Sequence, residues 1–181
     1  MEVPVVIYTG KDLARSFRAV RANTITIAED IPEEKYTFQA TPEVRSIGRL
    51  LVHIALTPRF QLATHTNRVV DLATIDFGDL VARAAADEAQ PRSKAEIIEL
   101  LRSEGEAYAS FLEGVSNDLL AERVAMPPGA HPAAKSRFEM LMSPKEHEMH
   151  HRGQLMLVQR MIGLVPHLTR RQQAGLAQPR R

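Results

Sequence analysis

The chain has 181 residues, 44% hydrophobic and 25% charged, with a formal net charge of +1. This is the composition of a globular domain large enough to bury its own core, and it carries no electrostatic footprint for nucleic acid. It has no cysteine, which excludes disulfides, thiolate zinc sites and a cysteine nucleophile, so any metal must be held by His, Asp or Glu.

The first helix is expected after Thr9, with Asp12 completing an imperfect capping box. Leu13, Phe17, Val20, Thr24 and Ile27 recur at helical spacing, and Pro32 marks the end. Residues 32–40 read as an extended connection. Thr41-Pro42-Glu43 then reads as a helix start, with Thr as N-cap and Pro in the first turn. That second helix runs through Ile47, Leu50, Ile54 and Phe60, with a kink expected at Pro58. Between 67 and 92 the signal is mixed, with one short helix near 77–86. Ser93-Lys94-Ala95-Glu96 is a complete capping box for the third long helix, which Gly114 closes. Residues 116–120 add a turn, and 126–132, with three prolines, form a long loop. Ser143-Pro144-Lys145-Glu146 reads as a further capping box, opening a last helix that runs to Gly163. The expected fold is therefore all-α, a four-helix bundle with a long loop before the last helix. Residues 1–168 read as its single domain and 169–181 as a flexible basic tail. No run is apolar enough to span a membrane, and the first ten residues lack the basic and apolar regions of an export signal, so a cytoplasmic protein is expected.

The last helix carries the chemistry. His147 and His151 are four residues apart, so both stand on one helical face and can grip one ion. At about 100° per residue, Met140, His147, His151, Leu155, Val158 and Ile162 fall in a stripe roughly 80° wide, so the two rings point into the protein. His53 lies on the inward face of the second helix with Leu50 and Phe60. Three inward imidazoles relieve one another's burial by ligating one metal, and they leave a fourth position open. Placed in the first turn of its helix, His147 is also expected to be kept neutral by the helix dipole. Buried, hydrogen-bonded core histidines are the plainer alternative. Gln154, close to the stripe, can orient a ligand or bound water or merely pack. His150 flanks it as a base or, more plainly, as a partly exposed or interface histidine. Tyr108 on the third helix is a candidate donor to a substrate anion or a core tyrosine. Glu146 is assigned to the capping box. Met142, Met149 and Met156 recur every seven residues away from the histidines, as packing against another helix or as part of a dimer seam. His65, His131 and His167 have no partners in the pattern and are expected on the surface or in loops.

The segments 46–55 (Ser-Ile-Gly-Arg-Leu-Leu-Val-His-Ile-Ala) and 146–155 (Glu-His-Glu-Met-His-His-Arg-Gly-Gln-Leu) resemble the DinB/YfiT-like superfamily of metal-dependent bundle proteins, as does the run 31–36 after the first helix. The likeness spans about residues 9–168. It implies an up-down-down-up bundle, often dimeric, with one divalent ion, nickel or zinc, on His53, His147 and His151. It also implies small-molecule substrates and, in part of the family, a low-molecular-weight thiol as cosubstrate, as in thiol S-transferases and a mycothiol-dependent maleylpyruvate isomerase. A thiol S-transferase-like enzyme is the leading expectation. A metal-dependent hydrolase and a non-catalytic metal-binding stress-response protein are the alternatives.

Overall fold

Thr9 opens the first helix as its sequence requires: its hydroxyl accepts the Asp12 amide, while the Asp12 carboxylate takes the Thr9 amide. In this computed structural model, which describes residues 8–177, that helix is α1, Gly10–Asp30. It is followed by α2 (Ile47–Leu56), α3 (Pro58–Thr66), α4 (Phe77–Glu88), α5 (Lys94–Glu113) and α6 (Asn117–Ala121). A two-stranded antiparallel ribbon, β1 (Arg123–Ala125) and β2 (Ala134–Ser136), brackets the Pro-rich loop. Then come α7 (Arg137–Met161) and α8 (His167–Ala177).

Two helix starts differ from the sequence reading. Thr41-Pro42-Glu43 is a turn, and α2 begins only at Ile47 with Ser46 as N-cap. The amides of Ile47 and Gly48 donate instead to the carbonyls of Phe38 and Tyr36, which a helix running through from residue 42 would not permit. Likewise α7 starts at Arg137, where Ser136 and Glu139 form the capping box, so Ser143-Pro144 lies inside the helix and Glu146 caps nothing. Buried Met140 and Leu141 hold the first turns in place. Pro144 cannot donate to the Met140 carbonyl, and on the next carbonyl, that of Leu141, buried Tyr108 donates at 2.8 Å. At the other end of α7, Gly163 takes φ +83°. The amides of Gly163 and Leu164 return to Arg160 and Gln159, a Schellman closure that needs the left-handed residue.

Pro58 interrupts the second bundle helix into α2 and α3, which join at Thr57. Helix directions follow from which residues meet. Lys94 at the start of α5 reaches the Ile31 carbonyl past the end of α1, and Gly10 lies against Leu112, so α5 runs opposite to α1. Lys145 meets Ser16 and Glu148 meets Arg21, so α7 runs with α1. Gly48 lies against Ile97 and Arg59 pairs with Glu104, so α2–α3 runs with α5. The directions are up, down, down, up. Two consecutive downward helices require a crossover back to the top, and residues 67–93, with α4, supply it.

The apolar core falls into two main clusters, one around Ile27, Ile31, Leu51, Ile54, Leu101 and Leu155, the other around Phe17, Tyr108, Leu112 and Leu141. Between them lies a buried ion pair. Arg21 on α1 (4% exposed) gives Nε to Glu148 on α7 (1% exposed) at 3.0–3.1 Å. Its remaining donors reach the carbonyls of Leu101 on α5 at 2.7 Å and Ile54 on α2 at 3.2 Å. Gly105 makes room for it, since an added Cβ would sit 2.9 Å from the Arg21 Cγ.

Two histidines expected on the surface or in loops are buried in helices. His65 accepts from Arg137 at 2.9 Å and donates to Gln61 at 3.0 Å, and His167 donates to Asn23 at 3.0 Å. Gln61 is one turn back on the same helix, but Arg137 and Asn23 lie on other helices, outside any local pattern. His131 is exposed. Met142 and Met156 pack into the core clusters, whereas Met149 is exposed. The segment 169–181 is helical as far as Ala177, with Arg170 bonded to Asp30; Arg180 and Arg181 lie outside the described residues. Among the described residues no helix is long and apolar enough to cross a membrane.

Removing one partner of the Arg21–Glu148 pair strands a buried charge, which costs about 3–5 kcal/mol. We expect Glu148→Ala to destabilise the protein by that amount in urea unfolding, and an Arg21→Met, Glu148→Leu double substitution to recover most of it. A Glu148→Ala loss below about 1 kcal/mol would show that the pair is dispensable.

Candidate metal centre

Helices α2 and α7 run antiparallel, so the middle of one faces the middle of the other. There the Nε2 atom of His147 lies 3.1 Å from that of His53 and 3.1 Å from that of His151. One ligating nitrogen from each ring falls within 4.8 Å of the other two. All three rings are half-buried, within reach of solvent. The three residues expected as ligands from the sequence are thus brought together.

Their outer nitrogens decide what the inner ones can do. Nδ1 of His53 lies 2.6 Å from the carboxylate of Glu88, which accepts its proton. Nδ1 of His151 lies 2.7 Å from Oε1 of Gln154, while the Gln154 amide nitrogen faces His150 at 3.1 Å. With Nδ1 protonated on both rings, each Nε2 presents a lone pair to the same small space. Lone pairs aimed at one another repel, and a cation between them removes the repulsion. Three nitrogens each about 2.0–2.1 Å from a tetrahedral ion stand roughly 3.4 Å apart, close to the spacing here. The residues fit a divalent ion with three nitrogen donors and an open position.

Burial, and then the neighbouring rings of His151, His53 and His150, push the His147 pKa down to about 4. Burial also lowers that of His151, against the hydrogen bond to Gln154. Both rings are therefore neutral at pH 7, as ligation requires. The helix dipole is not what keeps His147 neutral, because His147 sits well inside α7 rather than in its first turn.

Glu88 was not found from the sequence. It is the last residue of α4, 6% exposed, with one oxygen on His53 and the other 2.8 Å from Nε of Arg45. Burial raises its pKa, but the bonds from Arg45 and His53 prevail and the net shift is downward, keeping it ionised. A weakly patterned helix ending in Asp87-Glu88 gives no sign that its last side chain reaches α2; only the crossover brings it there. Gln154 and His150 do stand beside the site, joined in sequence to His151. Tyr108 does not, since its hydroxyl is committed to Leu141 and the ring stacks edge-on with Phe17 in the core.

A family model described as the DinB superfamily matches residues 16–155. Among solved structures, YfiT of Bacillus subtilis, described as a probable metal-dependent hydrolase with an unusual four-helix bundle topology, superposes with a TM-score of 0.68 at 11% identity, covering 91% of this chain and 94% of its own. A DinB-like protein of Bacillus cereus gives 0.63 at 18% identity, over 86% and 93% of the two chains. The DinB-like protein YjoA of Bacillus subtilis gives 0.60 at 18%, over 83% and 92%. Comparison with curated protein sequences finds no match.

Loss of an acceptor behind a ligating histidine costs 10–100-fold in metal affinity. Glu88→Ala is therefore expected to weaken divalent-metal binding by about that factor in a chelator competition, with the fold unchanged by circular dichroism. The depressed His147 pKa also makes a signed prediction. Between its unfolded value of 6.5 and its folded value of about 4, the unfolded chain binds more protons, so stability falls as pH falls through that window. Urea midpoints of chelator-treated protein should drop over this range, and less steeply in His147→Gln; identical slopes would refute the assignment.

Proposed function

The chain belongs to the DinB superfamily, and on that premise we propose that His53, His147 and His151 hold one divalent ion, nickel or zinc, in a metal-dependent enzyme acting on small electrophilic molecules. The observation that carries this reading is the convergence of three imidazoles, two of which, His53 and His151, have their outer nitrogens held by Glu88 and Gln154. A divalent ion there supplies Lewis acidity, lowering the pKa of a thiol or water brought against it.

The surroundings favour a thiol. Water, starting from a pKa near 15.7, gains from a general base beside it. Among the described residues, the buried acid that touches a site histidine, Glu88, has both oxygens occupied by His53 and Arg45. A thiol starts near 8.5 and ionises without such help. In the proposed reaction the thiol loses its proton to solvent, its sulfur forms a bond to the electrophilic carbon, and the leaving group departs with the bonding pair. A low-molecular-weight thiol is then a cosubstrate, which suits a cytoplasmic location where thiols stay reduced. The protein acts as a homodimer in this reading, and exposed Met149, Leu157 and Met161, spaced along α7, are the face such a contact would cover. The description of YfiT favours hydrolysis as the second reading.

Elemental analysis of untagged protein prepared without chelator tests the first step. We expect about one metal ion per chain in the wild type and none in a His147→Ala, His151→Ala double variant. Turnover of an electrophile that requires added thiol supports the transferase. Turnover indifferent to thiol supports the hydrolase, and a loaded protein inert to both is a non-catalytic metal binder. A wild type that stays metal-free after incubation with nickel and zinc refutes the proposal.

A further inference from the structure

Two arginines precede His53 on the segment that carries it. Arg49 is four residues before His53 on α2, so it projects from the same face one turn towards the start of the helix. It is exposed and makes no ion pair among the described residues. Arg45 lies four residues further back, in the segment leading into α2, with its side chain 41% exposed. It gives Nε to Glu88 at 2.8 Å and holds Nη2 at 3.5 Å from the second oxygen, while Nη1 has no partner among the described residues.

Glu88 balances Arg45, so a divalent ion on the histidines, together with Arg49 one turn away, would add positive charge beside the site. Arginine presents a planar fork of donors suited to a carboxylate, and a partly desolvated position strengthens such bonds. Along α2, one helical turn separates Arg49 from His53, about 5–6 Å. That is the span of a short chain with a reactive atom at one end and a carboxylate at the other.

We propose that the molecule taken by this site carries a carboxylate, received by Arg45 and Arg49 while its other end reaches the three histidine nitrogens. This rests on the metal reading above and narrows its substrate class from any thiol or electrophile to an anionic one. The arginines bind and orient; they take no part in bond making.

The test uses full-length protein loaded with cobalt(II), whose absorption spectrum responds when a thiol takes the open position. Two probes are titrated, 3-mercaptopropionate and the uncharged 2-mercaptoethanol, into wild type, Arg49→Gln and an Arg45→Gln, Arg49→Gln double variant. Measured cobalt content and unfolding midpoint confirm that each variant is loaded and folded. For 3-mercaptopropionate the Kd should rise about threefold in the single variant and about tenfold in the double variant. For 2-mercaptoethanol it should change by less than about twofold in Arg49→Gln, and in the double variant, where Glu88 loses its Arg45 partner, by clearly less than for 3-mercaptopropionate. Raising the salt concentration should erode the advantage of the charged probe in wild type only. Equal losses for the two probes, or none, overturn the carboxylate inference and leave the metal reading intact. Failure of cobalt to bind, or a loaded protein whose spectrum neither thiol alters, overturns the thiol reading and the inference together.

Discussion

One guanidinium holds this bundle in register. Arg21 projects from α1 and is bonded to α7, α5 and α2, so a single side chain touches all four walls. Taking a charge out of water costs several kcal/mol, recovered only where the geometry satisfies it fully. Here Glu148 supplies the counter-charge and the carbonyls of Leu101 and Ile54 take the remaining donors. A shift of any one helix along its axis would break a bond that nothing else can replace. The apolar clusters on either side are less demanding, because Leu, Ile and Phe contacts tolerate sliding far better than a buried ion pair does.

The consequence for the site is direct. Glu148 is the neighbour of His147, and Ile54 is the neighbour of His53. The clamp that fixes Glu148 and Ile54 against Arg21 therefore fixes the helical positions from which the two rings approach each other. Imidazoles 3.1 Å apart at Nε2 leave little room for error. A slip of one residue on either helix would carry the ring about 1.5 Å along the axis and 100° around it. The interior pair and the half-buried histidines are thus two faces of one polar layer across the middle of the bundle.

Topology adds the rest. An up-down-up-down bundle would need only short turns; two successive downward helices demand a return crossing, and residues 67–93 make it. That crossing is mostly solvent-exposed, and it is anchored where Glu88 meets His53 and Arg45. The connection that the helix order makes necessary also delivers the carboxylate that sets the His53 tautomer.

The sequence by itself determined the all-α class, the long helices and the pairing of His147 with His151 on one face, because those signals are local. Helical period, the Thr9 and Ser93 boxes and the i, i+4 spacing of His147 and His151 depend only on near neighbours in the chain. Even local signals misled where two competed: Ser143-Pro144-Lys145-Glu146 has the form of a helix start, yet Ser136 and Glu139 had already begun α7 and buried Met140 and Leu141 carried it past Pro144. Thr41-Pro42 lost in the same manner to the backbone bonds between 36–38 and 47–48. What only the tertiary structure decided were the long-range pairings. His65 with Arg137, Arg21 with Glu148, and Glu88 with His53 and Arg45 join residues that no spacing relates. Charged side chains such as these read as solvent-facing in one dimension. They become interior only when another helix brings the partner that offsets the cost of burying them.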